Sequence, residues 1–203
     1  MNGTILILAL AFLSASCSRD RNPPHGGAVG TPKADAQADL DSGGWCDPSS
    51  GLCWQDPVDG AERTWSDAMA YCSGLSLGGY GPGSWHLPTI SELRSLIRGC
   101  PASVTGGTCG VTDSCPGDGC WRRAECGGCD EYGGSGVGRN ISGQRTTGCY
   151  WTEGLDGKCG FYWSSSSYGG GVSDAWFVSF NTGFIFELRS DATSLVRCVR
   201  PGP

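Results

Sequence analysis

Thr64-Trp65-Ser66-Asp67-Ala68-Met69-Ala70-Tyr71-Cys72 is the stretch from which the fold of this chain is best read. Thr64 is placed to cap a helix, and Asp67, at the third helical position, can return a bond to the cap. Trp65, Ala68, Met69 and Cys72 follow the spacing i, i+3, i+4, i+7, which is one face of a helix. Gly74 marks the stop. A second helix reads from Leu87-Pro88-Thr89-Ile90-Ser91-Glu92-Leu93-Arg94-Ser95-Leu96-Ile97. There Thr89 and Glu92 form a capping box, Leu93, Leu96 and Ile97 make the buried face, and Gly99 closes the segment.

Working outward, the C-terminal third reads as strands. Phe161-Tyr162-Trp163-Ser164-Ser165 is short and aromatic. Ala175-Trp176-Phe177-Val178-Ser179-Phe180 meets Asn181-Thr182-Gly183, a hairpin turn signal, and continues as Phe184-Ile185-Phe186-Glu187-Leu188. Leu195 to Arg200 reads as the last strand, with Val196, Cys198 and Arg200 on one face. Two helices followed by a small antiparallel sheet is an α+β order. Between helices and sheet, about residues 100–160, lies a cysteine-rich insertion. Its eight cysteines are Cys100, Cys109, Cys115, Cys120, Cys126, Cys129, Cys149 and Cys159. It has almost no apolar periodicity, so disulfides are expected to replace a core there.

The chain has 13 cysteines, and 12 of them lie between Cys46 and Cys198. The remaining one, Cys17, ends an apolar run from Ile5 to Leu13 followed by Ser14, Ala15 and Ser16. That run is too short to span a bilayer. It reads as the signal of a bacterial lipoprotein, residues 1–17, with Cys17 as the lipid-modified residue. Ser18 after it is compatible with sorting to the outer membrane. The alternative is an ordinary secretory peptide and a secreted protein. Residues 18–44 are rich in Pro, Gly, Ala and Asp without apolar periodicity, and are expected to form a disordered tether. Residues 45–203 suit one domain. The net charge of −6 and the lack of a basic stripe argue against a nucleic-acid partner.

In order along the chain, Asp47 to Asp56, Thr64 to Cys72, Trp85-His86-Leu87-Pro88-Thr89-Ile90-Ser91-Glu92-Leu93, Tyr162-Trp163-Ser164-Ser165-Ser166, Ala175 to Gly183 and Val196-Arg197-Cys198-Val199-Arg200 resemble the bacterial Lcl C-terminal domain family. The resemblance runs from about Trp45 to Arg200, and the insertion is its least typical part. His86 stands where the family usually has Arg. The resemblance implies a C-type-lectin-like fold, shared with formylglycine-generating enzymes. It implies an exported surface protein, since a collagen-like adhesin carries such a domain, but no single established activity. It also implies that Cys72 and Cys198 join the first helix to the end of the domain. Cys46 with Cys53, and Cys149 with Cys159, flank short turns and suit local staples. The pairing of the other six is left open.

The residues that could carry chemistry are few. Cys126-Gly127-Gly128-Cys129 lacks a second CxxC or a His to complete a zinc set, and reads as structural disulfide cysteines. His86, beside a helix start, reads as a packing residue under Trp85 rather than a base. Asp130-Glu131 reads as solvated loop charge. Asp113, Asp118 and Asp130 could gather round a calcium ion, but the Glu-Pro-Asn, Gln-Pro-Asp and Trp-Asn-Asp triplets of sugar-binding C-type lectins are absent. No metal, cofactor or enzymatic activity is expected. The expected function is non-catalytic binding or adhesion at the cell envelope, with a glycan or a surface protein as ligand and the membrane held through the lipid anchor. Tyr150, Trp151, Tyr168 and Asp174 are the ligand-binding candidates, because loops on a rigid scaffold commonly carry function. The alternatives are a passive envelope component and an enzyme of the formylglycine-generating type.

Replacing Cys17 by Ser removes the only thiol that a diacylglyceryl group could take on the exported leader. Labelled-palmitate incorporation is expected to disappear; unchanged labelling of Cys17→Ser would overturn the anchor.

Overall fold

The computed structural model describes residues 44–115, 117–131, 133, 135–140, 148–170 and 173–203. Residues 1–43, on which the expected leader, Cys17 and all but the last residue of the expected tether fall, lie outside the described residues. Strands β1 (Gly44–Asp47) and β2 (Leu52–Gln55) form a hairpin in which Cys46 and Cys53 are register partners and are bonded to each other. Asp47 builds the turn. Its carboxylate accepts from the Ser49 amide at 3.0 Å and from the Ser49 and Ser50 hydroxyls. Burial opposes ionisation of Asp47, but the serine bonds and Arg98 outweigh it and hold the carboxyl below its ordinary pKa.

The hairpin pairs with β8 (Val199–Pro201) to make a three-stranded sheet, β1-β2-β8. A second sheet has the order β3-β7-β4-β5-β6, from β3 (Glu62–Arg63), β7 (Ser194–Leu195), β4 (Phe161–Ser167), β5 (Asp174–Ser179) and β6 (Phe184–Arg189). All its pairs are antiparallel except β4 with β7. The architecture is therefore α+β with few helices and two small sheets, where the sequence suggested one antiparallel sheet.

Helix α1 (Trp65–Gly74) is capped by Thr64, whose side chain accepts from the Asp67 amide. It buries Trp65, Ala68 and Cys72 against Trp163, Ala175 and Phe177 of the larger sheet. Met69, expected on that face, is 36% exposed, because the contact stripe is narrower than the four-residue pattern. Helix α2 (Ile90–Ser95) has the complete Thr89/Glu92 capping box. Its Ile90 and Leu93, with Leu96 and Ile97 just beyond its end, join Trp54, Trp151, Trp176, Val178 and Phe180 in the main core. Five of the eight tryptophans are essentially fully buried, so aromatic burial rather than helix packing carries the core.

The last strand corrects the sequence reading. Leu195 to Arg200 is not one strand: β7 belongs to the larger sheet, β8 to the smaller, and Val196–Cys198 cross between them. Alternation fails there because both sides are covered. Val196, Arg197, Cys198, Val199 and Arg200 are all at most 4% exposed.

Cys198 in this crossing is bonded to Cys72 of α1, with Cα atoms 5.4 Å apart. Cys149 is bonded to Cys159. In the insertion the pairs are Cys100–Cys129, Cys109–Cys126 and Cys115–Cys120. The two cysteines of the CxxC thus bond outward to different partners, Cys126 from the short helix α3 (Arg123–Cys126). Nor does the insertion lack a core. Cys100, Cys109, Val111, Cys126 and Leu155 are buried in the main cluster. Arg94 of α2, 2% exposed, donates to the carbonyls of Ser103, Val104, Cys109 and Val111, so one guanidinium gathers the loop around itself.

Cys72–Cys198 spans 126 residues and Cys46–Cys53 spans 7. In the chain-entropy argument these loops are worth about 5 and about 2.4 kcal/mol. The double variant Cys72→Ala/Cys198→Ala is expected to lose clearly more thermal stability than Cys46→Ala/Cys53→Ala. Equal melting temperatures in calorimetry would contradict this.

Candidate functional site

The face of the larger sheet that α1 covers through Trp163 and Ala175 continues as a stripe of rings. Phe161 lies 4.9 Å from Phe177, Phe177 6.4 Å from Phe184, Phe184 5.2 Å from Phe186, and Phe186 5.1 Å from Trp121 of the insertion. The Trp121 indole donates to the Ile185 carbonyl at 2.7 Å, which seats the insertion on the β6 edge. Phe177 is 4% exposed, whereas Phe161 at the start of β4 is 52% exposed.

Beside Phe161 opens a cleft of about 330 Å³ lined by Glu62, Lys158, Asn181, Thr193 and Ser194, with Cys159, Gly160 and Leu195 as its remaining walls. Four separate segments supply the polar groups. Glu62 comes from β3, and its carboxylate accepts from the Thr193 hydroxyl at 3.3 Å. Lys158 precedes β4 and donates to the Gly60 carbonyl at 3.2 Å. Ser194 opens β7 and donates to the Phe161 carbonyl at 2.6 Å. Asn181 sits in the β5–β6 turn, which closes through Gly183 N donating to Ser179 O at 2.8 Å. Gly183 has φ 75°, a conformation that suits glycine. The Cys129 amide donates to the Thr182 carbonyl at 2.8 Å, so the Cys100–Cys129 staple pins the same turn.

The floor beneath Lys158 is set by a buried cation. Arg197, 1% exposed, donates to the Gln55 carbonyl at 2.7 Å and to the Asp156 carbonyl, and lies 3.5 Å from the Asp56 carboxylate. Its guanidinium is 5.1 Å from the Trp151 ring centre. Tyr162 donates its hydroxyl to the Lys158 carbonyl at 3.0 Å. Burial pushes the Asp56 carboxyl up; Arg197 pulls it down, and Asp156 adds to the rise. The segment 156–159 is thus held by Arg197, by Tyr162 and by the Cys149–Cys159 bond, and it presents Lys158 outward.

The residues singled out from sequence lie elsewhere. Tyr150 is 4% and Trp151 0% exposed. Trp151 packs between Tyr162 and Phe180. Neither offers a ring to a ligand, because both are core residues at the inner end of the insertion. Tyr168 is half-buried with its ring 5.2 Å from Trp176. Asp174 opens β5 and accepts from the Ser173 hydroxyl at 3.0 Å. None of the four lines the cleft.

Asp113 and Asp130 are bonded separately, and the three aspartates are not gathered. Asp113 accepts from Ser166 at 3.0 Å and from the Ser91 amide at 3.3 Å, and Asp130 accepts from Ser135 at 2.6 Å. Asp118 instead adds to the upward push that burial exerts on Glu187. Among the described residues no group of three His, Cys, Asp or Glu could hold a metal ion. His86 is not simply packed under Trp85: its Nε2 lies 3.1 Å from Glu92 of the capping box. The Phe161 cleft escaped the sequence reading because Phe161 opens a run of three aromatics, Phe161-Tyr162-Trp163, where nothing marks which ring is left outside.

Removing Arg197 orphans the carbonyls of Gln55 and Asp156 and leaves the half-buried Asp56 carboxylate without its cation. Arg197→Met is expected to cost about 3–5 kcal/mol. Asp56→Asn on top should recover part of that loss. Chemical denaturation of the single and double variants measures it, and an additive double variant would contradict the pairing.

The Lcl C-terminal domain family matches residues 44–200. The chain belongs to that family. No curated protein matches the sequence.

Proposed function

We propose that this Lcl C-terminal domain is a non-catalytic binding module of the cell envelope, exported and lipid-anchored at the outer membrane through Cys17, and that its ligand, a glycan or a protein, docks in the Phe161 cleft. The observation that carries this reading is the exposure of Phe161. A ring with half its surface in solvent, ringed by hydrogen-bonding side chains on a stapled frame, has the makeup of a recognition site. A C-type-lectin-like fold is part of the proposal. It is supported by the bond from α1 to the C-terminal crossing and by helices flanking small sheets. All twelve cysteines from Cys46 to Cys198 are in disulfides. A thiol-dependent enzyme of the formylglycine-generating type would need a reactive pair, so the described state weighs against it.

The test uses the full chain carrying Cys17→Ser, screened against glycan arrays and against envelope and host-surface proteins. A saturable ligand is expected, and Phe161→Ala should weaken it about tenfold, the loss of roughly 1.4 kcal/mol of ring contact. Binding that is indifferent to Phe161→Ala would remove the cleft from the proposal. Silence across both screens would remove the binding function.

A further inference from the structure

We infer that the Phe161 cleft takes the terminal pyranose ring of an uncharged saccharide, stacked on Phe161, by a mode that needs no calcium. This rests on the reading of the cleft as the binding site and goes beyond it by naming the ligand chemistry.

Four features of the cleft point the same way. The first is the pairing of a flat apolar ring, 52% exposed, with polar groups around it. A pyranose has this duality: one face of C–H groups that packs on an aromatic ring, and hydroxyls around its rim. The second is the kind of polar group. Glu62 only accepts, Lys158 only donates, and Thr193 and Asn181 do both. A sugar hydroxyl donates and accepts at once, so neighbouring hydroxyls can use such a mixed set. Their existing bonds, Thr193 to Glu62 at 3.3 Å and Lys158 to Gly60 at 3.2 Å, hold these side chains without exhausting them. The ammonium has further N–H groups, and the carboxylate has further lone pairs.

The third feature is charge. Glu62 and Lys158 are the two ionic side chains of the cleft and carry opposite signs. A cation or an anion would gain from one and lose to the other, whereas an uncharged polyol meets no such conflict. The fourth is the backbone. A peptide that joined the sheet here would need a free strand edge. Phe161 lies on β4, an inner strand that pairs with β5 and, at Tyr162, with β7, so the free edge at the cleft is β3, whose two residues, Glu62 and Arg63, are too short to register a peptide strand. A volume of about 330 Å³ sits at the small end of ligand sites and suits one ring rather than a long chain. Calcium independence follows from the same side chains: the cleft has one carboxylate, Glu62, and the ring does the packing.

The experiment titrates the full chain carrying Cys17→Ser with the methyl glycosides of glucose, galactose, mannose and N-acetylglucosamine. Amide-proton NMR shifts are read with and without EDTA. At least one glycoside is expected to saturate with a millimolar Kd, as a single ring with few contacts should. The shifts should map to residues 158–161, 181 and 193–195. Phe161→Ala should weaken binding about tenfold and Phe161→Trp should retain it. Asn181→Ala should weaken it, and EDTA should change nothing. The inference is overturned if no glycoside saturates up to roughly 50 mM, if Phe161→Ala binds as the parent does, or if EDTA abolishes binding and calcium restores it. If the glycosides fail while Phe161→Ala still weakens a protein captured in the wider screen, the saccharide is wrong and the cleft stands. If Phe161→Ala changes neither, both readings fall.

Discussion

The structure depends on burying the five residues Val196 to Arg200 where the chain passes from one sheet to the other. A backbone covered on both faces cannot turn to water, so each group must be answered by protein. Gln55 answers both backbone groups of Cys198 and one nitrogen of Arg197. Its amide donates to the Cys198 carbonyl at 2.8 Å, its side-chain oxygen accepts from the Cys198 amide at 3.2 Å, and its own carbonyl takes Arg197. Val199 exchanges amide and carbonyl with His86 at 2.9 Å in both directions. Arg200 lays its guanidinium 3.6 Å from the Tyr80 ring centre. The disulfide to Cys72 then fixes α1 to this crossing. One short segment therefore ties the β1–β2 hairpin, the loop before α2, α1 and both sheets.

Arg94 and Arg197 show the same solution used twice. Each guanidinium is almost fully buried and is answered mainly by backbone carbonyls, Arg94 by those of the loop from Ser103 to Val111 and Arg197 by those of Gln55 at the end of β2 and of Asp156. Burial lowers the pKa of Arg94, but arginine stays charged even so. Charge-assisted bonds are stronger than neutral ones, so one planar fork can hold several carbonyls at once. A loop rich in glycine and poor in apolar side chains gains from such a centre what a helix gains from a hydrophobic stripe. Disulfides limit how far these loops can open in the unfolded chain, while the arginines select one arrangement in the folded one.

Much of the frame was legible in the sequence because it rests on local signals. Thr64 and Asp67, then Thr89 and Glu92, mark the starts of α1 and α2 through bonds within four residues. The β5–β6 hairpin declares itself through Asn181-Thr182-Gly183, and Cys46 and Cys53 lie only seven positions apart across a turn. What was not legible is non-local. Val196 to Cys198 look like the middle of a strand, and nothing nearby says that the chain changes sheets there. Arg94 and Arg197 look like surface charges, since their acceptors lie nine or more residues away. Tyr150 and Trp151, in an insertion that appeared coreless, looked available to solvent. They are buried because the Cys149–Cys159 bond and the Arg197 centre turn that part of the insertion inward, onto Tyr162 and Phe180.

The same economy shapes the cleft. A side chain on an untethered loop would have to be ordered at the moment of binding, and that ordering would be subtracted from the affinity. Here the loops are ordered beforehand. Lys158 sits next to a disulfide cysteine, its carbonyl held by Tyr162, and Asn181 rides on a turn bonded to Cys129. Phe161 has its backbone carbonyl tied to Ser194 and its ring supported from below by Phe177. The ring left in solvent is thus among the more firmly positioned groups of the sheet, not a loose end of it. Exposing a large apolar side chain forgoes the stabilisation that its burial would bring, about 1.5–3 kcal/mol for a phenylalanine. In a domain held by six disulfides, that forgone stabilisation singles out Phe161, rather than the better-buried rings around it, for the proposed binding site.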